Sequence, residues 1–393
     1  MPPKTPPDRP SDGLDQTALA HSEALAARIR AEALDAEGGL PFDRFMELAL
    51  YAPGLGYYMA GTAKLGSGGD FVTAPELSPL FARCLARQCR EALTAMGGGD
   101  ILELGAGSGA LAAELLAQLE RDDALPGRYL ILELSPDLQR RQAERLAAQV
   151  PHLLTRVAWL ATLPSVLQGV VLANEVLDAM PVHRFAIGAD GAPGEVLVRP
   201  QGAGFEESVE VPRSPGLAAA VRALQAEGLA CAPGYRGEIN LRLGPWLAAL
   251  AAALERALVL LIDYGYPRRE LYSAERTMGT LLCHYRQAVE ADPYRRLGLQ
   301  DITAHVDFTA VAEGAAAAGL ALAGYATQAH FLIGCGLDRL MAEAAEDPLD
   351  LAAGAKQLVL PTAMGERFQV MGLTKDFAGD WSGFALRDLR GRL

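Results

Sequence analysis

The fold that the sequence predicts is a doubly wound α/β sheet with a helical N-terminal part and an inserted β-containing segment, and three observations point to it. Residues 100–120, DILELGAGSGALAAELLAQLE, read as a short apolar strand, a glycine loop and a helix. The texture then repeats, with a buried strand at 128–134, a helix at 136–150, further strands at 157–163, 169–176, 257–265, 320–329 and 367–373, and a late helix at 308–319. The first hundred residues instead carry apolar positions at helical spacing in 18–34, 43–51 and 79–96.

Boundaries follow from these patterns. Residues 1–17 lack periodic apolar positions and are read as a disordered arm, 18–98 as a helical region that includes a lid, and 99–393 as the sheet-bearing core. The core is interrupted by a Gly/Pro/Glu-rich insertion at about 184–245 and by a long connection at about 266–305, rich in Arg and Tyr. Connections of that length in a compact domain tend to be lids or binding surfaces.

Composition bounds the function. Half of the 393 residues are hydrophobic, enough for a substantial core, and 35 Lys+Arg against 48 Asp+Glu leave a net charge of −13. That charge repels phosphate backbones and argues against nucleic acid as the main partner. Five scattered cysteines, Cys84, Cys89, Cys231, Cys283 and Cys335, show no C-x-x-C pair and no metal-ligand spacing. They are read as core thiols of a reducing compartment, and no metal is expected. The start, MPPKTPPDRPSDG, has Pro and acidic residues where a signal peptide needs an apolar stretch, so the expected location is cytoplasmic. The longest apolar run, 246–262, is broken by Glu255 and Arg256, and no membrane insertion is expected.

The chemistry centres on ELGAGSGA. Gly105, Gly107 and Gly109 follow a strand and open a helix, so the chain turns tightly and a nucleotide can lie against bare backbone. The glycines alone also satisfy G-x-G-x-x-G/A through Ala110, which leaves a dinucleotide enzyme open. Two details favour S-adenosyl-L-methionine. Glu103 lies inside the strand, two residues before the first glycine of a G-x-G-x-G loop, the arrangement of Rossmann-like class I methyltransferases. Glu133 ends the second strand, where a carboxylate can accept both ribose hydroxyls, although it follows Gly105 at more than the usual ~20 residues.

ANEVLDAMPVHRF, 173–185, follows the apolar run GVVL, which places Asn174, Glu175 and Asp178 at the C-terminal edge of the sheet. Asn174 is assigned to the cofactor side, and Glu175 and Asp178 are assigned as catalytic. Methyl transfer is an in-line displacement in which a protein supplies alignment and a suitable field. Two carboxylates could orient a planar guanidinium bidentately and favour loss of its proton. The competing reading of these acids is as caps of the next helix. The Asn/Asp-Pro-Pro-aromatic signature of amino-base methyltransferases is absent, which also weighs against DNA or RNA substrates. In DITAHVDF, 301–308, His305 is a candidate general base near neutral pH, with a helix cap as the competing reading.

LGSGGDFVTAPELSPLF, 65–81, has no G-K-[ST] ending and is not a phosphate cradle. Its glycines, Gly69 among them, let the backbone fold over the cofactor pocket, while Asp70 and Thr73 offer acceptors to the cationic methionine end. The stretch is therefore expected to wall the site opposite ELGAGSG.

GDFVTAPELSPLF, ELGAGSGAL, LELSPDLQRRQ, ANEVLDAMPVHRF, LLIDYG, DITAHVDFTAV and MGERFQV, in this order across roughly 40–373, resemble the MidA family of class I S-adenosylmethionine-dependent methyltransferases. The family includes mitochondrial arginine methyltransferases of complex I assembly. The resemblance implies a methyltransferase core, an N-terminal helical part and an insertion over the active-site edge. For the mitochondrial members it implies symmetric dimethylation of an arginine in a complex I subunit. Here it implies a protein arginine N-methyltransferase acting on a respiratory-complex subunit or another protein. The alternatives are a small-molecule methyltransferase and a non-catalytic assembly factor that keeps the fold.

Overall fold

The computed structural model describes residues 14–61 and 73–393. Gly69 and Asp70 lie outside the described residues. Seven strands form the central sheet: β1 (Asp100–Leu104), β2 (Tyr129–Leu132), β3 (Val157–Leu160), β4 (Leu167–Asn174), β5 (Leu254–Tyr266), β6 (Ala321–Thr327) and β7 (Phe368–Lys375). Their order is β3-β2-β1-β4-β5-β7-β6, with a two-residue strand, Val306–Asp307, added along the end of β5. β1 to β5 pair in parallel, whereas β7 runs antiparallel to both β5 and β6. The chain moves outward from β1 to β3 and then returns to the other side of β1 at β4, so the strand order reverses between β1 and β4. Ligands of open α/β sheets bind in the crevice outside the carboxyl ends at such a reversal.

Side chains of the central strands alternate between two buried layers, which is why these strands read as unbroken apolar runs. Ile101, Val170, Leu172, Leu258 and Leu260 face one core, and Leu102, Val171, Ala173, Val259 and Leu261 the other. α3 (Pro79–Met96), α4 (Ala110–Arg121) and α5 (Pro136–Gln149) cover the first face. α6 (Leu243–Ala253) and α7 (Phe308–Ala317) cover the second. The register brings Leu104 level with Leu132 and Ala173, and Asn174 level with Ile262, so the loops after β1, β2, β4 and β5 leave from one edge.

α1 (Gln16–Asp35) and α2 (Phe42–Tyr51) begin the described chain. They are not a separate layer. Leu40–Pro41 pairs with Pro193–Gln201 in a five-stranded antiparallel sheet that also contains His183–Ile187, Gly204–Glu210 and Arg236–Ile239. Phe42, Phe45, Val198 and Phe205 share one core with Ile302 and Ala304 of the second connection. That connection carries its own three-stranded sheet, Leu282–Tyr285, Ala288–Glu290 and Asp301–Thr303.

Several boundaries differ from the sequence expectation for local reasons. β4 stops at Asn174 because Glu175 takes φ 53°, a left-handed conformation that turns the chain out of the sheet. β5 starts at Leu254, directly at the end of α6, so Glu255 and Arg256 lie in the strand rather than before it. Three helices, Gln328–Gly334, Leu337–Glu343 and Pro348–Val359, fill a stretch that the periodicity left unassigned. Cys84, Cys89, Cys283 and Cys335 are buried, but Cys231 is exposed, which corrects its reading as a core thiol. It lies in the turn after Leu217–Ala226, with Sγ 3.2 Å from the Leu229 carbonyl. No described helix is long and apolar enough to cross a membrane.

Candidate active site

Three glycines shape the loop after β1. Gly105, Gly107 and Gly109 have φ of 64°, 53° and 82°, conformations that residues with a Cβ rarely adopt. The Gly105 N–H donates to the Leu132 carbonyl at 3.0 Å, which ties the loop to β2, and the Gly109 N–H donates to Ala106 at 2.8 Å, which closes the turn into α4. A Cβ on Gly109 would stand 3.1 Å from Gln142 Cα, so the loop also needs glycine there to let α5 approach.

Glu103 and Glu133 flank this loop. Glu103 is buried, and the Tyr129 hydroxyl donates to its Oε2 at 2.7 Å. Burial pushes its carboxyl up to about 7, against the pull of that bond. Glu133 accepts the Ser135 N–H at 2.9 Å and the Gln142 amide at 3.0 Å, and burial raises it as well. Gln142 is one residue that sequence reasoning missed. Its Nε2 also donates to the Gly107 carbonyl at 2.9 Å, and its Oε1 takes the Trp159 indole N–H at 2.8 Å. It thus joins the glycine loop to the acid after β2, and in the sequence it is one polar residue of a polar helix. Gln142→Leu keeps the volume but strips these groups of their partner. An expected loss of about 1–3 kcal/mol in denaturant unfolding, with weaker binding of S-adenosylhomocysteine by calorimetry, would follow.

Another wall of the cavity is the segment from Thr73 into the helical turn Ala74–Leu77. Thr73 and Pro75 line the cavity, and the Thr73 hydroxyl is not spent on capping the turn. Glu76 clasps the loop: it accepts the Ser108 hydroxyl and the Arg145 guanidinium, the latter at 2.9 Å. Glu76 stands in the quoted motif but carried no assigned role.

At the other end, the turn after β4 presents Asn174, Glu175 and Asp178 to the same cavity. Asn174 Nδ2 donates to Glu175 Oε1 at 3.2 Å. Asp263, at the end of β5, accepts the Leu177 and Asp178 amides at 2.9 and 3.2 Å and so fixes the turn. The Tyr264 hydroxyl donates to Asp178 Oδ2. Burial, with Asp178 nearby, pushes Glu175 up to about 8, and burial pushes Asp178 up to about 6. Capping is thus done for these residues by Asp263, which leaves Glu175 and Asp178 facing the cavity.

DITAHVDF divides in space. Asp301 and His305 line the cavity, whereas Asp307 caps α7 through the Ala310 N–H at 3.0 Å. Asp301 accepts the Tyr58 hydroxyl at 2.9 Å, and Tyr58 stacks on Tyr51, which brings α2 and its following turn into the site. His305 lies edge-on to Tyr264 and Tyr266 with centroids 5.2 and 5.5 Å away. Burial pushes its imidazole down to about 4, so it is neutral at neutral pH and does not titrate there as the sequence reading expected.

These walls enclose a cavity of about 1320 Å³, above the ~300–1000 Å³ of most small-ligand pockets and roomy enough for a nucleotide beside an acceptor side chain. Carboxylates of Glu47, Glu103, Glu133, Glu175, Asp178 and Asp301 face it. Of its two arginines, Arg242 is paired with Asp43 and Glu47, and acidic side chains outnumber basic ones in the lining. Asn174 Oδ1 and Asp178 Oδ1 are buried with no hydrogen-bond partner. Among the described residues no group of three or more His, Cys, Asp or Glu could hold a metal ion. Positive-φ glycines opening bare backbone, with one carboxylate on each side of them, fit an adenosyl ligand whose ribose brings two hydroxyls and whose methionine end brings an ammonium.

A β3-β2-β1-β4-β5-β7-β6 sheet with that loop at its reversal defines a class I S-adenosylmethionine-dependent methyltransferase. The chain belongs to the MidA family of these enzymes: the family described as "Putative S-adenosyl-L-methionine-dependent methyltransferase" matches residues 84–326. The "Protein arginine methyltransferase NDUFAF7, mitochondrial" of Danio rerio is 30% identical over 392 residues, covering 91% of this chain and 87% of the relative. Its homologue in Drosophila melanogaster is 29% identical over 410 residues, covering 94% and 89%. A Burkholderia thailandensis protein crystallised with S-adenosyl-homocysteine superposes with a TM-score of 0.92 at 42% identity, covering 97% of this chain and 99% of that one. The protein is therefore a methyltransferase that uses S-adenosyl-L-methionine.

Proposed function

We propose that this chain is a protein arginine N-methyltransferase. The observation that carries the reading is the pair of buried, unpartnered acceptors, Asn174 Oδ1 and Asp178 Oδ1, beside Glu175 in a cavity lined by more acidic than basic side chains. A guanidinium has five N–H donors and no acceptor, so it matches these two open acceptors. The relatives named as protein arginine methyltransferases support a protein acceptor.

Gly105, Gly107, Glu103, Glu133 and Thr73 are the residues that would hold the cofactor, with Asn174 at its acceptor-side end. When bound, the cofactor would supply an electrophilic methyl group on a sulfonium, whose S–CH3 bond would break as the acceptor's C–N bond forms, leaving a neutral thioether. Glu175 and Asp178 take N–H bonds from the guanidinium and turn one nitrogen toward the loop after β1. Tyr264 holds Asp178 in place through its hydroxyl. As the new C–N bond forms, the nitrogen gains positive charge, which the carboxylates stabilise, and Glu175 Oε accepts the proton that this nitrogen then loses. His305, neutral at physiological pH, packs the acceptor side between Tyr264 and Tyr266 without adding a charge.

The test is incubation with isotopically labelled cofactor, one arm with protein extract of the source cells and purified respiratory subunits, the other with a protein-free metabolite extract. Label mapped by mass spectrometry to arginine nitrogens, and lost with Glu175→Gln, is the expected result. Label that enters only the metabolite arm, or no arginine, would overturn the reading in favour of a small-molecule acceptor.

A further inference from the structure

The acceptor side of the cavity is not acidic throughout. Arg367 is exposed and lines the same cavity as the buried acids Asp178 and Asp301, whereas its neighbour Glu366 does not line it. Arg367 directly precedes β7, which runs antiparallel to β5 and therefore starts at the edge where β1 to β5 end. Phe368, the first residue of β7, is level with Tyr264 and meets its ring edge-on at 5.3 Å between centroids. Tyr264 in turn carries the hydroxyl that holds Asp178. In the order β1-β4-β5-β7, Arg367 stands three strand spacings from the glycine loop, about 14 Å in all. It therefore belongs to the acceptor side.

A second guanidinium lies close by. Arg276 sits 4.3 Å from the ring centroid of Tyr266, which flanks His305, and it donates to the Glu270 and Leu271 carbonyls. Among the described residues neither Arg276 nor Arg367 has a carboxylate partner. Burial pushes the His305 imidazole down, and the charges of these two arginines push it the same way, which agrees with their lying on either neighbour of that ring.

We propose that Arg367, together with Arg276, forms an anion subsite at the rim of the acceptor side, where it reads an acidic side chain close in sequence to the arginine that is methylated. A chain of net charge −13 repels acidic ligands in general, so guanidiniums left without carboxylates beside the cavity mark where an anion is held. With acids within and arginines at the rim, the cavity selects a ligand whose cation enters and whose anion stays outside. The inference deepens the arginine methyltransferase reading and rests on it. Arg367 is a specificity-determining residue here, and it takes no part in the methyl transfer itself.

The test uses short peptides with a central arginine and Asp, Asn or Lys placed at each flanking position in turn. Binding is read by fluorescence anisotropy with S-adenosylhomocysteine present, and turnover by transfer from labelled cofactor. At one or two positions Asp is expected to outbind Asn by about threefold to tenfold, with Lys weaker still, and the preference should shrink at about 0.5 M salt. Arg367→Glu is expected to reverse the order at those positions through KM with kcat held, and Arg367→Lys to keep it. Calorimetry should find the affinity of Arg367→Glu for S-adenosylhomocysteine unchanged; a loss would assign the guanidinium to the cofactor's carboxylate and overturn the subsite. So would indifference to flanking charge, a preference that survives Arg367→Glu, or no binding by any peptide. The same series with glutamine at the centre tells the two readings apart. Arginine labelled regardless of its neighbours strikes the subsite alone, whereas an Asp preference that Arg367→Glu reverses, with no label on any arginine, supports the subsite and strikes the arginine reading.

Discussion

Acceptor binding is expected to release a proton at neutral pH, and kcat/KM for the acceptor is expected to climb by up to tenfold per pH unit toward about 8 and level off above it. Glu175 is the reason. In the free enzyme burial and Asp178 hold its carboxyl up to about 8, so most molecules carry it protonated at pH 7, whereas the guanidinium acceptor of the proposed reading needs it ionised. Calorimetric titration in buffers of different ionisation enthalpy measures the released proton, and a pH–rate profile measures the limb. Glu175→Gln should remove the limb near 8 and lower kcat/KM by ~10²–10³-fold, the loss typical of one electrostatic contact made at the reacting centre.

The same variant should be more stable than the parent at pH 8. The folded-state value of Glu175 is raised above its unfolded value of roughly 4.3, so its contribution is fully present below that and is lost as pH rises through about 8. A neutral glutamine avoids that loss, and thermal unfolding at pH 5 and pH 8 should show the advantage of Glu175→Gln growing with pH. An advantage that shrinks toward pH 8 would mean that Glu175 is ionised and satisfied in the empty site. Glu175 also stands at φ 53°, so the chain keeps an unusual backbone and a costly carboxyl at one position, a pairing found where function requires it.

Gly109→Val is expected to abolish measurable binding of S-adenosylhomocysteine while the sheet persists. The substitution puts a branched side chain at φ 82° and its Cβ 3.1 Å from Gln142 Cα, a helix backbone that has no small adjustment to make. If α5 moves away, Gln142 leaves Gly107 and Glu133 together, and the loop and Glu133 lose their common support. Circular dichroism with calorimetry checks this: near-native affinity would show that α5 does not hold the loop.

Much of the centre was legible in the sequence because its signals are local. A strand buried on both faces is an apolar run, and left-handed turns demand glycine, so β1, its loop and α4 could be read from 100–120 alone. Glu133, Asn174, Glu175 and Asp178 follow from standing at strand ends, since parallel strands deliver their ends to one edge. Glu76 and Gln142 were not legible. Each acts through partners on other elements, and nothing in a helical spacing says which polar residue turns inward.

By itself, then, the sequence determined the sheet, the glycine loop and the acids at the strand ends, because each is set by side-chain alternation or backbone dihedrals within a few residues. The tertiary structure alone decided that Leu40–Pro41 joins the insertion in one sheet, that Tyr58 meets Asp301 across 243 residues, and that Tyr264 meets Asp178 across 86. It also decided the ionisation of the acids and of His305, which depends on what surrounds them. The physical reason is that pairing between distant segments and the desolvation of a carboxyl come from packing the whole chain, and no window of sequence carries them.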